Sequence, residues 1–419
     1  MKSVDAHVAD ILDVVVPLPP RSLPLGSAHG CVLAADLRAG SALPGFDNSA
    51  MDGYAVHIAD VADAGPERPV TLAVTGDIPA EAGTPSPVAR GSAARIMTGA
   101  PLPPGADTVV QLEWTDGRMD RVTVTRAPGP GQNIRRAGED VAVGDLVLPA
   151  GRLLGAAQIG LLAALNVATP VVHPRPRVGV LSTGSELVEV GETLGPGQIV
   201  DSNSHAVAAA AREAGAQIRR LGGVPDSPDA FATVLAGVLA DVDVVITTGG
   251  VSVGAFDVVK QVLAGSGKVR FESLAMRPGK PQGFGVIDGV PIFTLPGNPV
   301  SALVSFELFV RPALLRMRGL ACVHRPTLVA TTAQELRSSR GRRSYLRVRL
   351  AAAAAGTGRP PVAHLAGGQG SHQLSALAVA DALLIVPGDG VDRPAGTELT
   401  ALRLGGDMPP FDAGTPSHE

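Results

Sequence analysis

Val242-Asp243-Val244-Val245-Ile246-Thr247-Thr248-Gly249-Gly250 is the stretch on which the fold turns. Val242–Thr247 is dense in β-branched residues, as expected of a strand buried on both faces. It runs into Thr248 and two glycines, where a turn leaves backbone N–H groups open. The same theme repeats on either side. Arg177–Leu181 is an apolar strand that enters Ser182-Thr183-Gly184. Ser204–Ala214 is an Ala-rich helix stopped by Gly215, Ala216–Gly222 is strand-like, and Asp229–Ala240 is a helix. Pro291–Leu295 is a further strand, then Pro296-Gly297-Asn298-Pro299 leads into the helix Ser301–Leu315. Strands alternating with helices predict a three-layer α/β/α domain around a mostly parallel sheet.

Working outward, the pattern changes. Residues 324–405 revert to β runs at Thr327–Thr331, Tyr345–Leu350 and Ala382–Pro387, which predicts a separate C-terminal β-barrel-like domain. His173-Pro174-Arg175-Pro176 reads as a stiff linker ahead of the sheet domain. Residues 44–140 carry short β-like runs cut by Gly and Pro: Tyr54–Ile58, Val70–Val74, Thr108–Leu112 and Arg121–Thr125. Residues 1–40 read as a helix and a turn, with Val8, Ile11, Leu12 and Val15 on one face, and Gly144–Val171 returns to a helical pattern. The expected organisation is a discontinuous helical, extended domain (1–43 and 141–174), an inserted β-rich module (44–140), an α/β domain (175–323), a β domain (324–406) and a flexible tail (407–419).

Bulk properties fit a multidomain globular chain. Its 419 residues exceed one ordinary core, and 45% apolar with 18% charged residues is a folded composition. High counts of Gly (51) and Pro (36) imply many tight turns, and aromatics at 3% leave the cores to Val, Leu, Ile and Ala. No run reaches the roughly 18 apolar residues of a membrane span, and the N-terminus has no apolar signal core. Cys31 and Cys322 suggest neither a disulfide framework nor a zinc site. A cytoplasmic protein with no membrane attachment is expected. A net charge of −4 gives no general attraction to nucleic acid, so any anion site is built locally.

Ligands of open α/β sheets bind beyond the carboxyl ends of the strands. Three such ends are decorated: 182–186, 247–254 and 295–301. Each joins Gly to hydroxyls at a helix start, which is phosphate-cradle chemistry. One Gly-rich turn is weak evidence; three in succession are much stronger. Glu186, Asp226 and Asp257 lie beside these loops. Each alone reads as a solvated residue or a helix cap, and Asp226 in particular is placed to cap the helix near Asp229. Together with phosphate they need a bridging cation, and Mg²⁺ is the natural inference. Arg277 and Lys280 sit on a turn held by Pro278, Gly279 and Pro281, a rigid pair of donors for a tetrahedral oxyanion or, more plainly, two solubilising charges. Pro44–Val56, Arg95–Pro101 and Asn133–Asp140 are polar turns whose composition alone decides nothing.

Taken in order, Pro44–Val56, Ile96–Pro101, Asn133–Val141, Ser182–Leu187, Asp201–Asn203, Thr248–Asp257, Arg277–Pro281, Leu295–Ser301, Gly341–Arg343 and Gly370–Ser371 resemble the MoeA and gephyrin E-domain family. The resemblance spans about residues 5 to 405 and is highly specific. It implies a homodimer of four-domain subunits that takes adenylylated molybdopterin and molybdate, inserts molybdenum at the dithiolene and releases AMP with Mg²⁺. It places Asp52, Thr98, Glu186, Asp226 and Asp257 among the catalytic residues, with Asp226 and Asp257 on the metal. Thr183, Gly184, Gly249, Gly250, Ser252, Pro296, Gly297 and Pro299 fall to the substrate, with Pro296 and Pro299 over the pterin. Arg277, Lys280, Ser301, Arg342 and Ser371 fall to molybdate. The family pattern also sets the N-terminal β module of one subunit against the sheet domain of the other, and it implies handover contacts with molybdopterin adenylyltransferase and molybdoenzyme apoproteins.

Three positions depart from the pattern. Ser273 stands where some relatives carry lysine, Arg277 replaces a lysine, and Asp381 takes the place of an asparagine, which would bring negative charge near the anion site if it pointed inward. Rival readings are a molybdopterin adenylyltransferase, a non-enzymatic scaffold, and a paralogue serving tungsten or one dedicated enzyme. The first shares the sheet domain but lacks the Asp47–Val56 motif. A cluster of acids at strand ends argues against the second, because it costs stability without benefit to a scaffold.

Overall fold

The structure, a computed structural model, describes residues 1–250, 258–265, 267–352 and 358–405. The chain divides into two compact units. One comprises Met1–Arg21, Gly30–Ala34 and Val171–Glu419, the other Ser22–His29 and Ala35–Pro170.

The first unit begins with helix α1 (Val4–Val14), capped by the Ser3 hydroxyl, which accepts from Ala6 N at 3.1 Å. Its buried face is Val4, His7 and Ile11. Val4, Ile11 and Val15 enter the same core as Val180, Ile246 and Phe309, so the helix packs onto the sheet of this unit, although its sequence is read with segment 141–174. The sheet elements follow: β1 (Arg177–Thr183), α2 (Ser202–Glu213), β2 (Gln217–Val224), α3 (Pro228–Leu239), β3 (Val244–Thr248), α4 (Val258–Gly265), β4 (Val269–Ser273), β5 (Pro281–Ile287), β6 (Val290–Leu295) and α5 (Pro299–Ser305). Strand order is β2-β1-β3-β6-β5-β4. The first four strands are parallel and the last two are antiparallel additions. Because side chains alternate across a strand, Val178, Val180, Val244 and Ile246 enter one core with α2 and α5. Leu181, Val245 and Ile292 enter the other with Phe231, Leu235 and Val259 of α3 and α4. This is the expected three-layer arrangement.

Register sets the site. Ser182 is level with Thr248, Thr183 with Val224, and Thr248 with Leu295, so four parallel strands end along one edge. The helix after β6 starts at Pro299, earlier than expected, because Pro is well suited to a first turn. It passes through a π-helical stretch, Phe306–Val310, before continuing over Arg311–Met317. Pro312 lacks the amide that would reach the Leu308 carbonyl, and the wider turn sits just ahead of it.

The C-terminal strands β7 (Thr327–Thr332), β8 (Arg343–Ala351), β9 (Val362–Leu365), β10 (Ala382–Val386) and β11 (Glu398–Arg403) close on themselves as a five-stranded barrel. Closure is made by β8 and β10, where Ser344 is level with Val386 and Val348 with Ala382. A two-residue strand, Met276–Arg277, pairs in parallel with the start of β8, with Met276 opposite Arg343 and Arg277 opposite Ser344.

The second unit holds a five-stranded sheet ordered Thr108–Gln111, Gly53–Val56, Ser92–Ile96, Val70–Ile78 and Arg121–Val124, over a core of Tyr54, Leu72 and Val110. Gly53 is required there: a Cβ would lie 2.0 Å from the Val110 carbonyl oxygen. The helical pattern over Gly144–Val171 condenses to Ala156–Ala164, because Gly144 and Gly151 have φ of 90° and 81° and Leu146–Leu148 pairs as a strand with Leu37–Arg38. Among the described residues no helix is long and apolar enough to cross a membrane.

Candidate active site

The aligned strand ends of the first unit open into a cleft of about 1090 Å³. It gathers Thr183, Gly184, Glu186, Asp226, Gly249, Gly250, Arg277, Lys280, Pro296, Gly297, Pro299, Ser301, Arg342 and Ser371. Of the predicted set, Ser252 and Asp257 lie outside the described residues. Asp52 and Thr98 lie in the other unit, where they hold each other: Asp52 Oδ1 accepts from Thr98 N at 2.7 Å and from Thr98 Oγ1 at 2.8 Å. Those two donors, backbone first, hold the Asp52 carboxyl below the usual aspartate range.

Each lining group is positioned by local chain chemistry. Gly249 has φ of 89°, and a Cβ there would meet the Thr183 carbonyl oxygen at 2.8 Å, so only glycine lets these two loops touch. Asp226 does not cap α3, contrary to one reading of the sequence. Ser227 does, accepting from Ala230 N at 3.4 Å. Asp226 Oδ2 instead accepts from Ser185 N at 3.0 Å and Ser185 Oγ at 3.4 Å, which ties it to the loop after β1. Arg277 rests on the short strand beside β8, with Nη1 3.4 Å from Ser339 Oγ, and the Arg277–Pro278 peptide is cis. The Ser371 carbonyl accepts from Val300 N at 3.1 Å, joining a barrel loop to the start of α5.

Asp201 and Asn203 do more than motif reading assigns them. Buried Asp201 caps α2, accepting from Ser204 N at 3.0 Å and Ser204 Oγ at 2.6 Å. It also accepts from Ser182 Oγ at 3.0 Å, and Ser182 Oγ lies 2.9 Å from Thr248 Oγ1. Asn203 Nδ2 donates to the Gly297 carbonyl at 2.6 Å. One helix start therefore fixes three loops. The signal was present as an Asp-Ser-Asn ahead of an Ala-rich helix, a capping pattern. Gln369 and His372 also line the cleft and were not foreseen.

The departures resolve differently. Neither Ser273 nor Asp381 lines this cleft. Asp381 turns to a separate, mostly apolar cavity of about 770 Å³, and its Oδ2 accepts from Leu350 N at 2.7 Å. It adds no negative charge to the cleft wall.

The cleft carries charges of both signs. Among the described residues none of Arg277, Lys280 and Arg342 forms an ion pair, so three cations line the cavity with no carboxylate within salt-bridge distance. Glu186 and Asp226 line it as well. Fixed cations suit an oxyanion.

Residues 2–166 match the family described as "MoeA N-terminal region (domain I and II)", residues 179–316 "Probable molybdopterin binding domain", and residues 329–404 "MoeA C-terminal region (domain IV)". A protein named molybdopterin molybdenumtransferase 2 from Mycobacterium tuberculosis is 45% identical over 412 residues, covering 96% of this chain and 100% of the relative. The chain belongs to the MoeA family. Molybdopterin molybdenumtransferase 1 from Mycobacterium tuberculosis is 41% identical, covering 92% of this chain and 95% of its own length. A solved molybdopterin biosynthesis MoeA protein from Pyrococcus horikosii is 30% identical, with a TM-score of 0.78 over 96% of this chain and 99% of its own. The family match runs through both units and the barrel, well beyond the sheet domain.

Proposed function

We propose that the protein is a molybdopterin molybdenumtransferase, which takes molybdenum from molybdate into adenylylated molybdopterin and releases AMP. The relatives' names support the reaction class, and the observation that carries the reading is the set of three cations that line the cleft without an ion pair. Molybdate is a tetrahedral dianion, and Arg277, Lys280 and Arg342 line the cavity unpaired, as an oxyanion subsite requires. The Gly249-Gly250 and Pro296–Pro299 turns line the cleft beside Thr183 and Gly184, and this wall at the carboxyl ends of the strands suits the pyrophosphate and pterin of the second substrate.

In this reading the two dithiolene sulfurs bond to molybdenum as one molybdate oxygen leaves as water with the two thiol protons, while a water cleaves the phosphoanhydride and AMP leaves. Arg277, Lys280 and Arg342 hold the oxyanion against its own charge and that of the phosphates. Asp226, fixed by Ser185, and Glu186 line the same cleft and would supply oriented carboxylates for the phosphoanhydride. Mg²⁺ fits the donor set. Among the described residues no group of three or more His, Cys, Asp or Glu side chains is poised for a metal, and Mg²⁺ is commonly held by one or two carboxylates plus substrate phosphates. Asp226 and Glu186 are the carboxylates that would hold it, and it would neutralise charge on the phosphate oxygens. The reading extends to a homodimer acting in the cytoplasm, with handover to and from other proteins of the same biosynthesis.

Incubating the purified protein with adenylylated molybdopterin, Mg²⁺ and molybdate, and measuring AMP and active cofactor, tests it. Molybdate-dependent AMP release is expected. ATP-dependent adenylylation of molybdopterin in its place would move the assignment to an adenylyltransferase. Asp226→Asn is expected to lower AMP release by about two orders of magnitude or more with the fold retained, and normal turnover would remove Asp226 from the mechanism.

A further inference from the structure

Beneath the cleft wall lies a charge that no carboxylate answers. Arg347, on β8, is 1% exposed. Its Nη2 donates to the carbonyls of Gly368 at 2.7 Å and Gly370 at 3.1 Å, and its Nε has no partner. Among the described residues it forms no ion pair. Burial first, and then the like charge of Arg277, work against its protonated form.

A guanidinium stays charged in proteins, so it must be stabilised where it lies. Two carbonyl oxygens do part of this. The rest is unusual, because buried charges are ordinarily paired. The loop that receives the two bonds is the one that presents Gln369, Gly370, Ser371 and His372 to the cleft. Gln369 closes the clamp from the other side: its Oε1 accepts from Arg347 N at 2.9 Å and its Nε2 donates to the Arg347 carbonyl at 3.2 Å.

We propose that Arg347 is a positioning residue for the oxyanion end of the cleft. It fixes the 368–371 loop and places a permanent positive charge behind it, and the counter-charge it lacks in the protein is the bound tetrahedral dianion. This rests on the reading that the cleft takes molybdate. Arg347 itself need not touch the anion. It acts through the Gly370-Ser371 backbone and through a field that solvent does not screen.

The test is molybdate binding by calorimetry without the nucleotide substrate, with tungstate as a second probe. Arg347→Met is expected to weaken both by at least about tenfold and to raise KM for molybdate while leaving KM for adenylylated molybdopterin unchanged. Arg347→Lys, which keeps the charge, is expected to recover most of the loss. Wild-type molybdate affinity in folded Arg347→Met overturns the inference. If Arg347→Met does not fold, Gln369→Ala decides, since it keeps the charge but frees the loop: weakened molybdate binding supports the inference and unchanged binding overturns it. A wild-type protein that binds neither oxyanion overturns instead the functional reading on which the inference stands.

Discussion

The Asn203 side chain donates to the carbonyl oxygen of Gly297 at 2.6 Å, across 94 residues of sequence. The bond ties the first turn of α2 to the Pro296–Pro299 loop, so the loop's position follows the helix and not its own short length. Asn203→Ala removes one neutral hydrogen bond, worth about 1 kcal/mol. KM for adenylylated molybdopterin is expected to rise several-fold, with molybdate affinity unchanged. Equal KM for both substrates in the variant and the wild type would show that the loop holds itself.

Thr98 supplies both donors to Asp52 Oδ1. Thr98→Val deletes the hydroxyl and keeps the backbone donor, so the Asp52 carboxyl is expected to titrate higher, part of the way back to the ordinary aspartate value. A carboxyl depressed in the folded state adds stability above its unfolded value and loses it as pH falls through the folded one. The variant should therefore lose that contribution at a higher pH than the wild type. A pH titration of the labelled Asp52 carboxyl by NMR reads this, and an unmoved midpoint would count against it.

Glu189 is held at a pKa of about 2, first by Arg220 Nη2 at 2.8 Å and then by His205 Nε2 at 2.7 Å. The stabilisation is fully present above the ordinary value of 4.5 and is lost as pH falls from there towards 2. Glu189→Gln has no such titration. The difference in Tm between wild type and variant should shrink steadily across that window. A constant difference would mean that the pair adds nothing to folding.

Phe231 is fully buried between α3 and the sheet. Phe231→Ala is expected to cost about 3–5 kcal/mol by leaving a cavity, with denaturant unfolding as the measure. KM for both substrates should stay near wild type, because the residue packs on the face of the sheet and lines no part of the cleft. A large change in either KM with little loss of stability would contradict this division of roles.

The sheet domain was legible because its signals are local. Val244–Thr248 and Val290–Leu295 are β-branched or apolar throughout, and each ends in a Gly or Pro turn. Their alignment along one edge follows from parallel pairing, so the decorated loops could be expected to meet. Other features were hidden. Ser92–Ile96 reads Ser-Ala-Ala-Arg-Ile, with little β propensity, and is a strand because its neighbours bury Ala93, Ala94 and Ile96. The barrel was expected in kind, but its closing pair joins Ser344 to Val386 over 42 residues, which no periodicity shows. The inward or outward aim of Asp381 was equally invisible, since a backbone amide of a neighbouring strand decides it. Arg347 looks like any exposed strand arginine until the barrel closes around it.

The two-residue strand Met276–Arg277 has a consequence for how such proteins diverge. Because Arg277 pairs with the start of β8, exchanging the sheet or the barrel alone between relatives is expected to misplace it. A graft that imports a foreign barrel also imports the surface that aims this arginine. The junction segment and the barrel are thus expected to pass between lineages together, and hybrids cut between them should keep nucleotide binding while losing grip on the metal oxyanion.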